Sequence, residues 1–385
     1  VRIEGLSALS GAAVRLEIED GFIGSAREIE PAPGMPVVSP GFIDIQVNGY
    51  LGMDYSDDSL SEEDVFAITR ALAASGTVAH VPTVITRPEK LIVRNLGIIA
   101  RAVRSSSDLA AAVPGIHLEG PFISPEDGPR GAHDVSFVRP PDFAEFERWQ
   151  EAADGLIKIV TLSPEWDGAE EFIRKLSGLG VTAAIGHTAA DPDLIARAIR
   201  AGARFSTHLG NGSHPSLPRL KNYLFRQLAA DELGAGLISD GFHLPEYVVK
   251  VMYRAKGADR IVLVSDVAPL AGSKPGRYRW GGIEVRMYED GHLGLPDSTL
   301  LAGAAHLLDW DIPHFMRFTG AELAESIRLC TVNPARLLGL PEPAGTLEPG
   351  APADITVFSR PDSPAERLEV VKTFRRGKIV YEART

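Results

Sequence analysis

With one cysteine, Cys330, in 385 residues, the chain has no means of forming an intramolecular disulfide, and that usage fits a reducing cytoplasm. No apolar run approaches the ~20 residues that span a bilayer, so a membrane is not expected as a partner. The first residues, VRIEGLSALSGAAVRLEIEDG, alternate like strands and lack the basic stretch and apolar core of a signal peptide. Positive charge is in the minority: 39 Lys and Arg stand against 51 Asp and Glu, a net charge of −12. That balance argues against non-specific binding to nucleic acid or anionic membranes, while a local basic pocket for an anionic substrate stays compatible with it. The chain also lacks a glycine-rich dinucleotide fingerprint and a Gly-x-Ser-x-Gly nucleophile elbow. Cys330 sits on a helical pattern before TVNPA and reads as a small packed hydrophobe, not a nucleophile.

What is present is an ordinary apolar content, 44%, ample for a sizeable core, and a repeating order. From about Gly41 to Asn333 short β-rich runs alternate with loops and helical stretches. The runs are FIDIQV, VAHVPTV, GIHLE, IKIVTL, VTAAIG, RFSTHL, GAGLIS and IVLVS. Helical patterns such as SEEDVFAITRALAAS, EKLIVRNLGIIARAVRSS, PDLIARAIRAG and PEYVVKVMYRAKG lie between them. Ser61 followed by Glu62, Glu63 and Asp64 is a helix start with favourable macrodipole charge. Eight strands alternating with helices predict an α/β fold, a (β/α)8 TIM barrel. Residues 1–39 and 339–385 alternate instead like small β units. They are expected to pair as one β-sandwich beside a barrel of residues 40–338, with a turn-rich hairpin or lid at Gly272 to Asp297 after the eighth strand.

Four polar residues end four of the apolar runs: Glu119 after GIHL, His187 after TAAIG, His208 after RFST and Asp266 after IVLVS. Barrels of this kind gather their reactive groups at the carboxyl ends of the strands, so all four converge on one mouth. Taken singly, each histidine reads as a packed or loop residue, and Asp266 as a helix cap before Pro269. Glu119 is harder to place that way, because a buried carboxylate without a cation is costly. Together they read as a metal-centred hydrolase. One oxygen and two nitrogen ligands suit Zn²⁺ or a similar divalent ion with a position open for water, and Asp266 would serve as general base and then acid.

These residues and their surroundings resemble the N-acetylglucosamine-6-phosphate deacetylase family of the amidohydrolase superfamily. The matching stretches include PGFIDIQVNG (40–49), HLEGPFISP (117–125), RGAH (130–133), GHT (186–188), THLGN (207–211), DGFH (240–243), SDVAPLAG (265–272), LLAG (300–303), TVNPARLLGL (331–340) and GTLEPGAPADITVF (345–358). The resemblance implies a metal-dependent barrel of amidohydrolase type, usually a homodimer, that hydrolyses the acetamide of an amino sugar. Carried over by position, Glu119, His187 and His208 bind the metal and Asp266 is the acid/base. His133 polarises the acetamide carbonyl and stabilises the oxyanion. Gln46 and Asn48 stand where two-metal amidohydrolases carry a His-x-His pair, which implies one metal ion, Zn²⁺ being the leading choice. Gln46, Asn48, Gly210, Asn211, His243 and Arg219 are the expected substrate contacts, with Arg226 the alternative arginine.

The chain departs from the family's pattern at Gly210, where an aromatic residue is usual, at Gly212, Ser213 and His214, and at Ala304, where the family has serine. Deacetylation of N-acetylglucosamine 6-phosphate is therefore the leading expectation. An unphosphorylated or otherwise substituted N-acyl sugar is the alternative, and an inactive barrel retained for binding the second. His117 shares a strand face with Glu119 and reads as packed or supporting. His80, His292, His306 and His314 have no visible partner and read as structural, while His214 could supply a missing substrate contact.

Overall fold

The computed structural model describes residues 1–280, 283–296, 301–359 and 367–384. Eight parallel strands follow one another around a barrel: β1 (Phe42–Val47), β2 (Thr77–Ile85), β3 (Ile116–Glu119), β4 (Ile157–Leu162), β5 (Thr182–Ile185), β6 (Phe205–Ser206), β7 (Gly234–Leu237) and β8 (Ile261–Leu263). The ring closes just beyond β1 and β8. There Val47 bridges Val267, the Asn48 N–H donates to the Val267 carbonyl at 3.0 Å, and the Ser265 N–H donates to Asp44 Oδ1 at 3.3 Å. Each predicted run is a strand, although β6 keeps only two residues of RFSTHL.

Strand alternation sorts the side chains. Ile43, Ile45, Val81, Ile159, Ala184, Phe205, Ile238 and Val264 form one buried cluster that fills the barrel, with Ala335 and Leu338 from the helical segment beneath it. A larger cluster lies between strands and helices, where Ile116, Leu118, Val160 and Ile185 meet Ile99, Trp149, Phe172 and Ile195. Because Ile116 and Leu118 face the helices, His117 and Glu119 face the interior. Local signals agree with the helices: Ser61 and Asp64 form a reciprocal capping box at the start of Glu62–Leu72, an arrangement that contributes about 1 kcal/mol.

The two termini join in one seven-stranded sheet. It runs Lys378–Glu382, Val370–Arg375, Ile355–Phe358, Val37–Pro40, Arg2–Ser7, Ala13–Glu19, Phe22–Glu28. The sheet curls back on itself: Ile23 N–H donates to the Ala351 carbonyl at 2.9 Å and Ala353 N–H to that of Gly21 at 2.9 Å. Leu16, Ile23, Val38, Ala353, Ile355 and Phe374 are packed within the curl. Thr356, Thr373 and Arg375 bond the carbonyls of Gly76, Ala73 and Val78, seating the sheet beside the start of β2. The turn-rich segment after β8 is a small antiparallel sheet of Gly276–Trp280, Ile283–Met287 and Leu293–Gly294. Trp280 Nε1 ties it to Asp54 Oδ2 at 2.8 Å. The expected end of that segment at Asp297, the first residue of LLAG, and residues 360–366 and 385 lie outside the described residues.

The helix Leu308–Thr319 carries a destabilising group. Asp311 is fully buried, and neither carboxylate oxygen has a hydrogen-bond partner among the described residues. Burial, reinforced by Asp240, Asp44 and Asp309, lifts its pKa well above the usual carboxylate range. A carboxyl whose native pKa is raised contributes full stability below its unfolded value and loses it as pH rises through the native value. Asp311→Asn should therefore gain on the parent protein as pH rises. Thermal melts at pH 5 and pH 9 should show a smaller gain at the lower pH and a gain of about 2–4 °C at the higher. A pH-independent offset would remove ionisation of Asp311 as the cause.

Candidate metal and catalytic site

Glu119 ends β3, and its Oε1 is the meeting point of the barrel mouth. It accepts from Gln46 Nε2 at 2.9 Å and faces His208 Nε2 at 2.8 Å and His187 Nε2 at 3.3 Å. The two imidazole nitrogens lie 3.0 Å from each other. His187 Nδ1 is bonded to the Pro129 carbonyl at 2.8 Å. A carbonyl only accepts, so Nδ1 carries a proton, which leaves Nε2 as the atom able to offer a lone pair to an ion at the centre. His133 lies close by, since ligand atoms of Glu119, His133 and His187 all fall within 4.8 Å of one another. Its Nδ1 is held by Thr86 Oγ1 at 2.8 Å.

All of these side chains are buried, and the electrostatics follow from that. Burial opposes ionisation of Glu119, but hydrogen bonds and charge from His187 and His208 outweigh it and hold its pKa well below normal. Burial likewise opposes the charged form of His208, yet its bond to Glu119 lifts it to about 9. His133 is pushed well below its usual value by burial, with His187 acting the same way. The centre therefore retains positive charge among three crowded Lewis bases. One carboxylate and two imidazoles, one of them with its lone pair fixed inward, fit a divalent cation.

Asp266 follows β8. Burial, with the Glu119 charge adding to it, raises its pKa to about 6, while His208, His243 and Asn48 act the other way. Asn48 Nδ2 donates to Asp266 Oδ1 at 2.8 Å. Backbone geometry sets these groups apart. His187, His208 and Asp266 have φ of +48°, +27° and +49°, a region that costs non-glycine residues about 1–3 kcal/mol each. The strained turn at each of these three strand ends aims the side chain across the mouth instead of along the sheet normal.

The remaining residues singled out from sequence fall into different places. The amide donors of Gln46 and Asn48 are engaged by Glu119 and Asp266, leaving Asn48 Oδ1 without a partner among the described residues. Asn211 Nδ2 is buried and likewise unpartnered. His243 Nδ1 pairs with Asp240 Oδ2 at 2.7 Å. A Cβ on Gly210 would lie 3.0 Å from Met252 Cε and 3.1 Å from Leu244 Cδ2, so the missing aromatic ring there concerns packing against helix Glu246–Lys256 and the residues just before it. Arg219 is exposed on the loop before helix Tyr223–Leu228, Arg226 is half-buried on that helix, and neither bonds to the cluster. His214 is a structural tie: Nδ1 meets the Tyr223 hydroxyl at 3.1 Å and Nε2 the Glu126 carboxylate at 3.0 Å, so neither nitrogen is left for substrate. His117 lies beneath the centre, with Nε2 2.7 Å from Thr161 Oγ1. His80 meets the Tyr55 hydroxyl at 2.8 Å. Thr86 and Pro129, which orient His133 and His187, carry no signal in the sequence, because each acts through one atom of an otherwise ordinary loop.

Comparison with known proteins gives the relatives of the whole chain. The profile of the Amidohydrolase family matches residues 37–380. The N-acetylglucosamine-6-phosphate deacetylase of Bacillus subtilis (strain 168) is 35% identical over 359 residues, covering 92% of this chain and 87% of the relative. The Homo sapiens protein of that name is 33% identical, over 91% of this chain and 85% of its own. Among solved structures, that of N-acetylglucosamine-6-phosphate deacetylase from Thermotoga maritima superposes with a TM-score of 0.87 at 28% identity, covering all of both chains. A mutant of the Mycobacterium smegmatis enzyme, in complex with N-acetyl-D-glucosamine-6-phosphate, gives 0.87 at 28% over 98% of this chain and 97% of its own. The chain belongs to the amidohydrolase family and, within it, to the family of N-acetylglucosamine-6-phosphate deacetylases.

Proposed function

We propose that this protein hydrolyses the acetamide of N-acetylglucosamine 6-phosphate to acetate and glucosamine 6-phosphate. The observation that carries the proposal is the buried convergence of Glu119, His187 and His208 beside Asp266, in a chain whose relatives bear that activity in their names. Glu119, His187 and His208 would hold one divalent ion, Zn²⁺ being the ion best suited to one oxygen and two nitrogen donors. Such an ion supplies a Lewis acid and lowers the pKa of water bound to it.

Asp266 takes the proton of the attacking water and passes it to the departing amine as the C–N bond breaks. Its pKa of about 6 lets it begin ionised near neutral pH. Asn48 fixes the carboxylate by its bond to Oδ1. His133, neutral and tethered through Nδ1 to Thr86, has Nε2 for the carbonyl oxygen as negative charge develops there. Asn211, with its unpartnered Nδ2, the backbone at Gly210, and His243 are assigned to the sugar and its phosphate. Gln46 acts by orienting Glu119.

Arg219 is assigned to the phosphate, although its exposure on the 215–221 loop favours a second reading. In that reading an unphosphorylated N-acyl sugar is the substrate. The family resemblance and the single buried Cys330 support a cytoplasmic homodimer, with residues 40–338 as the catalytic unit. Light scattering tests the oligomeric state.

Turnover of phosphorylated and free N-acetylglucosamine separates the two readings. A clear preference in kcat/KM for the phosphorylated sugar is expected, and equal values would favour the second. Asp266→Asn should keep its metal and lose about 10²–10⁴ in kcat, whereas near-normal turnover would end the acid/base assignment. His133→Asn should lower kcat by about 10²–10³. Metal analysis of the purified protein should give about one ion per chain, falling sharply in Glu119→Gln. No bound ion, and no activity on adding Zn²⁺, would instead favour a binding protein.

A further inference from the structure

In sequence His306 reads as one more structural histidine, and its surroundings separate it from the others. It is buried, with 8% of its surface exposed, yet neither Nδ1 nor Nε2 has a hydrogen-bond partner among the described residues. His80 is bonded to Tyr55 and His292 to Asp290. A buried polar ring with both nitrogens idle is uncommon, because each unsatisfied group forfeits its hydration without return.

The ring is also held in one orientation. Phe242 stacks on one side with centroids 5.6 Å apart and planes 11° from parallel, and Trp310 on the other at 4.1 Å and 10°. Trp310 is itself pinned, its Nε1 donating to the Asp240 carbonyl at 3.0 Å. On the edge of the ring, a Cβ at Gly291 would come within 3.0 Å of His306 Cε1 and 3.2 Å of Nε2. Glycine at that turn sets no side chain against that edge.

The path of the chain brings the start of this segment to the mouth of the barrel. Two residues earlier, Ala304 pairs with Val267 and donates its N–H to the Asp266 carbonyl at 3.2 Å. Phe242, which stacks on His306, is the neighbour of His243, whose charge is felt at Asp266. We propose that His306 is a substrate-recognition residue that hydrogen-bonds a hydroxyl group of the pyranose ring through an imidazole nitrogen. This inference rests on the sugar reading of the site. A hydroxyl is favoured over the phosphate for two reasons. Burial, with Arg367 and His314 acting the same way, keeps the ring neutral near pH 7, its pKa being lowered to about 4. The carboxylates of Asp240 and Asp290 act on the same ring and disfavour an anion beside it. A neutral imidazole offers one donor and one acceptor, matching a hydroxyl, which does both.

His306→Phe keeps an aromatic ring between Phe242 and Trp310 and removes both nitrogens. It should raise KM roughly tenfold, equally for phosphorylated and free sugar, with kcat nearly unchanged. Melting temperature should stay level or rise, since an unsatisfied buried group has gone. The 3-deoxy and 4-deoxy forms of the substrate supply the second measurement. One of them should bind the parent protein roughly tenfold more weakly and show no further loss in His306→Phe. A folded variant with unchanged KM, or a parent protein indifferent to both deoxy sugars, would overturn the assignment. Absence of deacetylation by the parent protein would instead end the reading of the site as a deacetylase.

Discussion

Glu119 Oε1, His187 Nε2 and His208 Nε2 lie within about 3 Å of one another in a buried site, and this crowding governs the rest of the molecule. Three Lewis bases at that separation repel unless positive charge stands among them. A proton on His208, held up to about 9 by Glu119, supplies that charge in the absence of an ion. A divalent ion supplies more of it and satisfies all three lone pairs together. The Pro129 carbonyl then matters beyond its single bond, because it prevents His187 from turning its proton inward.

Holding the cluster requires that strand ends far apart in sequence be aimed at one point. A parallel strand left to itself directs its last side chain along the sheet normal. The left-handed backbone at His187, His208 and Asp266 redirects all three. Strain of that kind persists only where the surroundings over-determine it. The filled barrel beneath, from Ile45 to Val264, and the closure at Asp44, Ser265 and Val267 provide that rigidity. Stability and reactivity are thus coupled: the same closely packed interior that stabilises the barrel prevents the mouth from relaxing.

Much of this was legible in the residues. The eight runs became eight strands because short apolar runs bounded by turns and alternating with helical stretches leave few other ways to bury them, and Ser61 to Asp64 caps its helix. The convergence of Glu119, His187, His208 and Asp266 followed from their placement at strand ends. What the sequence did not carry was anything dependent on a single atom or on orientation. His214 looked available and is held at both nitrogens by Tyr223 and Glu126. His306 looked like His80, and the absence of partners among the described residues distinguishes it. The loss of an aromatic at Gly210 looked like a change in the site, whereas its missing side chain points to Met252 and Leu244. In each case identity was visible and direction was not.

Gln46 and Asn48 show how direction decides chemistry. A histidine at either position would present a lone pair to the mouth. An amide instead presents donors, and the structure places both on carboxylates, Gln46 on Glu119 and Asn48 on Asp266. A second cation beside the first would have to compete with these donors for the same oxygens. The amides therefore do in hydrogen bonds part of what a second ion would do in charge: they hold the two carboxylates apart and oriented. They do so without the further positive field that a second ion would add beside Asp266. With its pKa raised to about 6 by burial and the Glu119 charge, Asp266 suits the proposed role of accepting a proton from water and returning it to an amine.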